Sequence, residues 1–119
     1  MNMTDETAAK FAGNMLCAVV SRVNRPVHLG DLAALLRAGG CDISLGEFEQ
    51  YLENGAWVTG GDASPMTPTS RAVNAGYLDQ EAVKLGIGAN GEPVYELFVT
   101  ATPMGACHFI LDILGGDRR

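Results

Sequence analysis

The chain is short of positive charge. Eight Lys and Arg stand against fourteen Asp and Glu in 119 residues, for a net charge of −6. A protein that holds nucleic acid mainly through its phosphates usually carries a basic face. The acidic balance therefore favours protein partners, or mimicry of a polyanion, over a phosphate-binding role. Long apolar runs are lacking too: no stretch reaches the about 20 apolar residues that a bilayer-spanning helix needs. The first residues, Met1 to Glu6, are acidic and have no continuous apolar core. That argues against a secretory signal and for a soluble intracellular protein with no membrane contact.

Cysteine is scarce and badly spaced for chemistry. Cys17, Cys41 and Cys107 lie far apart, with no Cys-x-x-Cys pair. An odd number without framework spacing predicts buried, unpaired thiols in a reducing compartment. With only His28 and His108 to add, a metal site would need several long-range coincidences, and none is expected. Cys107 and His108 adjoin, but successive helical residues point about 100° apart, so both are assigned to a packing face.

The motifs of common enzymes are missing as well. There is no Gly-x-x-x-x-Gly-Lys-Ser/Thr loop, no Gly-x-Ser-x-Gly elbow and no His-Glu-x-x-His. Gly86-Ile87-Gly88-Ala89-Asn90-Gly91 has the letters of a dinucleotide loop. It falls at a predicted hairpin tip, where no helix N-terminus is available to receive a phosphate. Glu49 and Glu53 are i, i+4 neighbours on a predicted solvated face rather than a catalytic pair. No catalytic residue and no cofactor are expected, and the chain is not read as an enzyme.

What is present is a patterned single domain. The apolar fraction of 47% is ordinary for a globular chain, and this length buries roughly two-thirds of its unfolded surface. Residues 4–23 carry apolar side chains at i, i+3 and i+4 spacing, and Asn24-Arg25-Pro26 ends that helix. A second helix is predicted over 30–38, closed by Gly39-Gly40. Ser44-Leu45-Gly46-Glu47 is a capping box that starts a third helix, which ends at Asn54-Gly55. The two short helices have the outline of a helix-turn-helix, with Trp57 as a core plug beneath them.

After a polar loop at 59–66, Thr67-Pro68 is predicted to start a fourth helix that ends at Gly76. Two strands follow, 77–87 and 93–101, joined through Asn90-Gly91. Thr102-Pro103 then starts a last helix. The expected class is α+β: a small, mostly helical domain with a helix-turn-helix-like pair and one antiparallel β-hairpin, winged-helix-like in outline.

Taken in order, these pieces resemble a known family. "LGDLAALLRAGGCDISLGEFEQYLENGAWV", "TPTSRAVNAGYLDQ" and "VTATPMGACHFI" are similar to the KilAC domain, the C-terminal module of phage antirepressor proteins. The shared features are the helix pair ending at Asn54-Gly55-Ala56-Trp57 and the helix from Pro68-Thr69 to Gly76-Tyr77-Leu78. The hairpin and a Thr-x-x-Gly start, Thr102 to Gly105, with Phe109 later, complete the set. The likeness spans residues 28–114, leaving 1–27 as an N-terminal helix and 115–119 as a tail. The chain departs from the family pattern at Met104, where a basic residue is common, and at His108, where an aromatic is. It also lacks the separate N-terminal domain that antirepressors usually carry. The resemblance implies a phage or prophage regulator in the cytoplasm of a bacterial host.

Two surfaces are candidates for its work. Asp31, Asp42, Glu47, Glu49 and Glu53 make the helix in the recognition position acidic, which phosphates would repel. They point to a protein partner: a repressor, or a host defence complex inhibited in the manner of anti-CRISPR proteins. The alternative is DNA binding, for which Arg22, Arg25, Arg71 and Lys84 are the candidate contacts. The wide apolar stripe of the first helix leaves a homodimer open.

Overall fold

A computed structural model describes residues 5–60 and 66–115 of the chain. The first four residues, the middle of the polar loop predicted at 59–66, and the tail with Arg118-Arg119 lie outside the described residues. In chain order the elements are α1 (Asp5–Val23), β1 (Val27–His28), α2 (Leu29–Ala38) and α3 (Leu45–Asn54). Then come β2 (Val58–Thr59), β3 (Thr67–Pro68), α4 (Ser70–Ala75), β4 (Leu78–Ile87), β5 (Pro93–Ala101) and α5 (Pro103–Leu114). The molecule is a small α+β domain with one long antiparallel hairpin. Its main sheet has the order β1-β5-β4, all antiparallel, and β2 pairs with β3 in a second, two-stranded sheet.

Local chemistry sets most helix limits. α1 stops where Asn24 turns left-handed, with φ 55°, and its amide donates back to the Val20 carbonyl. At the start of α3 the Glu47 amide donates to Ser44 Oγ, and the Ser44 amide donates to Glu47 Oε1, each at 3.1 Å. Both halves of the capping box are therefore made. The turn before it is braced by Arg37, which donates to the Ile43 carbonyl at 2.9 Å.

The end of α3 is less simple than the letters Asn54-Gly55 suggest. Gly55 keeps φ −83°, and it is Ala56 that turns left-handed, at φ 60°. Gly55 is required for another reason. A Cβ there would come within 2.8 Å of the Trp57 indole, which folds back over the helix end.

The Thr67-Pro68 expectation is corrected. Those residues form β3, paired with Val58–Thr59, and α4 starts later, capped by Thr69. Thr69 Oγ1 accepts from the Ala72 amide and donates to the Ala56 carbonyl at 2.7 Å, joining the start of α4 to the end of α3. The equivalent device at the last helix behaves as expected: Thr102 caps α5, and Pro103 occupies its first turn.

The core is one cluster in which Leu32, Leu36, Phe48, Leu52, Phe109 and Ile110 are fully buried. α1 lies along α5 and covers part of this cluster. There a second expectation is corrected, because Cys17 and Cys107 are joined as a disulfide with their Cα atoms 4.8 Å apart, leaving Cys41 as the free thiol. Ninety residues separate the pair in sequence, so only the docking of α1 on α5 brings them together. His108 points elsewhere and stacks on Tyr77, with ring centroids 4.4 Å apart.

Candidate partner-binding surface

The base of the hairpin is clamped to the domain. Thr102 Oγ1 donates to the Gly76 carbonyl, and the Thr102 amide donates to the Tyr77 carbonyl at 3.0 Å. The same hydroxyl accepts from the Gly105 amide at 2.9 Å, so one side chain caps α5 and holds the entry to β4. Gly76 supplies the left-handed turn at φ 77°. Gly105 sits against the Tyr77 backbone so closely that a Cβ would overlap its carbonyl. This is the physical content of the Thr-x-x-Gly pattern: it brings the first turn of α5 onto the junction before the hairpin.

Beyond the base the hairpin leaves the core. Leu78, Val99, Thr100 and Ala101 are buried, but the strands run on to Ile87 and Pro93. Leu85, Ile87, Tyr95 and Leu97 are all more than half exposed, and Val94 is exposed as well. Leu97 and Tyr95 alternate with Val99 and so lie on the core-facing side of the sheet, past the point where the core ends. The molecule is drawn out accordingly, with extents of 64 × 27 × 26 Å.

A groove runs beside β5 where the overhang begins. Its walls are Leu45 and Glu49 of α3, Met66, residues 28–30 at the start of α2, and Glu96 to Val99 of β5, enclosing about 320 Å3. The lining is largely apolar, with carboxylates at Glu49 and Glu96 and no Lys or Arg. His28 stands at its end, with Nε2 3.1 Å from the Glu81 carboxylate and its ring edge-on to Phe98.

Of the five acidic residues singled out by sequence, Glu49 alone lines this groove. Asp31 is exposed in the first turn of α2, Asp42 is exposed in the α2–α3 turn, and Glu53 is exposed late in α3. Glu47 is tied to its own N-cap. At about 100° per residue it points roughly 160° away from Glu49 around the helix. The carboxylates of α3 therefore do not make one surface. Glu96, which joins Glu49 in the groove, gives no signal in the sequence, because its place depends on how β5 lies against α3.

The four basic candidates do not form one stripe either. Arg71 lies over the Trp57 ring, 3.9 Å from its centroid, and donates to the Gly55 carbonyl at 2.8 Å. It caps the end of α3 and is spent on the fold. Arg25 lines a depression together with Asp79 and Glu81. Arg22 is exposed in the last turn of α1. Lys84 is six residues up β4 from the base, roughly 20 Å at strand rise.

Among the described residues no three His, Cys, Asp or Glu are grouped so as to hold a metal ion. No described helix is long and apolar enough to cross a membrane. Compared with known proteins, the chain matches no family model, no curated protein and no solved structure.

Proposed function

We propose that the chain is a non-enzymatic regulatory module that acts by holding a protein partner. The observation that carries this reading is the overhanging hairpin. A two-stranded ribbon is marginal in water without something against its face, and this one presents Leu85, Ile87, Val94, Tyr95 and Leu97 to solvent. Tyr95 and Leu97 share one face of the ribbon and Val94 lies on the other; large apolar side chains exposed in such number on one element point to an interaction site. The acidic lining beside it, at Glu49 and Glu96, suits a protein better than a phosphate backbone. With the resemblance to antirepressor C-terminal modules, the partner classes proposed are a phage repressor or a host defence complex.

DNA binding is the second reading. The sheet order β1-β5-β4 behind the α2–α3 pair has the layout of a winged helix. Against it, α3 carries three carboxylates and no basic residue, and Arg71 is engaged within the fold. The test is affinity capture from host cytosol with the natural chain and with a Tyr95→Ser, Leu97→Ser variant, alongside a gel shift with mixed-sequence duplex. We expect a protein that the natural chain retains and the variant loses, and no shift of the duplex. Salt-sensitive retention of duplex, with identical capture by both chains, would replace the first reading by the second.

A further inference from the structure

We propose that the open edge of β5 takes an extended segment of the partner, which adds a strand to the sheet and sets Lys or Arg beside Glu49 and Glu96. The inference rests on the protein-binding reading and names how the partner is held.

The two edges of the hairpin are built differently. β4 carries Asp79, Glu81 and Lys84, and its pairing is broken by a bulge between Lys84 and Gly86. Charges and bulges are the usual means by which proteins prevent an edge from recruiting another strand. β5 reads Pro-Val-Tyr-Glu-Leu-Phe-Val-Thr-Ala, with a single charge and strongly strand-forming residues. On the side away from β4, its pairing among the described residues is confined to Thr100 and Ala101, by His28 and Val27 of β1. The chain then turns into α2 at Leu29, and among the described residues no strand continues along positions 94–98. Main-chain donors and acceptors on such an edge are a template for strand addition.

The groove beside that edge selects the side chains. Leu45, Met66 and Leu97 offer apolar contact, while Glu49 enters from α3. Glu96 pairs in register with Val83 and lies on the opposite face of the sheet from Leu97. A strand laid here meets one carboxylate on each of its faces, and no lining Lys or Arg offsets them. A second copy of the chain is a poor occupant: its net charge is −6, and β5 against β5 would bring Glu96 towards Glu96. A phosphate backbone is repelled by the same carboxylates.

The test uses the full chain and the peptide acetyl-Thr-Val-Lys-Arg-Val-Tyr-Lys-Val-Thr-amide, whose adjacent Lys and Arg place a cation on each face. Its control has Glu at the three cationic positions. Fluorescence anisotropy of labelled peptides is expected to favour the cationic peptide by roughly tenfold or more. Glu49→Lys with Glu96→Lys should invert that preference, whereas Lys84→Glu on the other edge should leave it unchanged. Amides of alternate residues within 94–98 should exchange more slowly with the peptide bound. Equal binding of both peptides, no protection along β5, protection of 94–98 by duplex DNA alone, or a dimer that the peptide dissociates would each overturn the proposal. Capture from cytosol separates its failure from that of the wider reading. A partner held equally by the natural chain and the double Lys variant leaves a protein-binding module with a different site. No partner held by either removes the protein-binding reading itself.

Discussion

The two ends of the β4–β5 hairpin obey different physics although they belong to the same pair of strands. At the base, Leu78, Val99 and Ala101 are buried, and Thr102 ties Gly76, Tyr77 and Gly105 into one knot of hydrogen bonds. At the tip, Leu85 and Ile87 stand in water at 61% and 64% exposure, and the turn is closed by its own backbone. The Gly88 amide donates to the Glu92 carbonyl at 2.8 Å, and Gly91 supplies a left-handed φ of 82°. The base is held by tertiary contacts and the tip by ladder and turn alone. The difference teaches where stability resides: apolar residues at the base serve the core, while the same residue types at the tip are left largely exposed among the described residues.

Substitutions should break or sharpen that contrast. The largest effect is expected from Gly105→Ala, because the added Cβ overlaps the Tyr77 carbonyl and neither backbone can give way cheaply. A loss of about 3 kcal/mol or more is expected in urea unfolding, enough to leave a small domain largely unfolded. Thr102→Val keeps the shape and removes the hydroxyl. It should cost about 2 kcal/mol through the lost α5 cap and the unanswered Gly76 carbonyl. An unchanged midpoint would show that the clamp is dispensable. Arg71→Ala removes the guanidinium from Trp57 and from Gly55, and about 1 kcal/mol is expected in thermal unfolding. The same variant should leave any DNA retention unaltered, since the exposed Arg71 guanidinium is held by Trp57 and the Gly55 carbonyl. Smallest of all is Leu85→Ser with Ile87→Ser at the tip, expected to stay within about 0.5 kcal/mol of the natural chain. A larger loss there would mean that the tip is covered, for example by a second copy, in the free protein.

Legibility in the sequence followed the range of the interaction. The capping box Ser44-Glu47, the stop at Asn24-Pro26 and the Thr102-Pro103 start join residues a few positions apart, and each is made as read. Thr67-Pro68 carries the same letters as Thr102-Pro103 yet becomes a strand. Val58–Thr59 pairs with it across the intervening loop, and a helix one residue pair later has its own Thr69 cap. The acidic residues form a group in the sequence because they are close along the chain. Helical geometry alone separates Glu47 from Glu49, and the placement of Glu96 beside Glu49 required the sheet.

What the sequence determined by itself is therefore the class of the domain, the type and approximate limits of most elements, and the acidic balance that weighs against phosphates. Periodicity, capping and turn chemistry act within about four residues and need no fold to express them. Only the tertiary structure decided the pairing of Cys17 with Cys107, the stacking of Arg71 on Trp57, and the meeting of Glu49 with Glu96. It also decided how much of the β5 edge is paired among the described residues, because β1 is two residues long and β5 is nine. Contacts of that kind join residues far apart along the chain, and they form only once burial of the common core has brought the elements together.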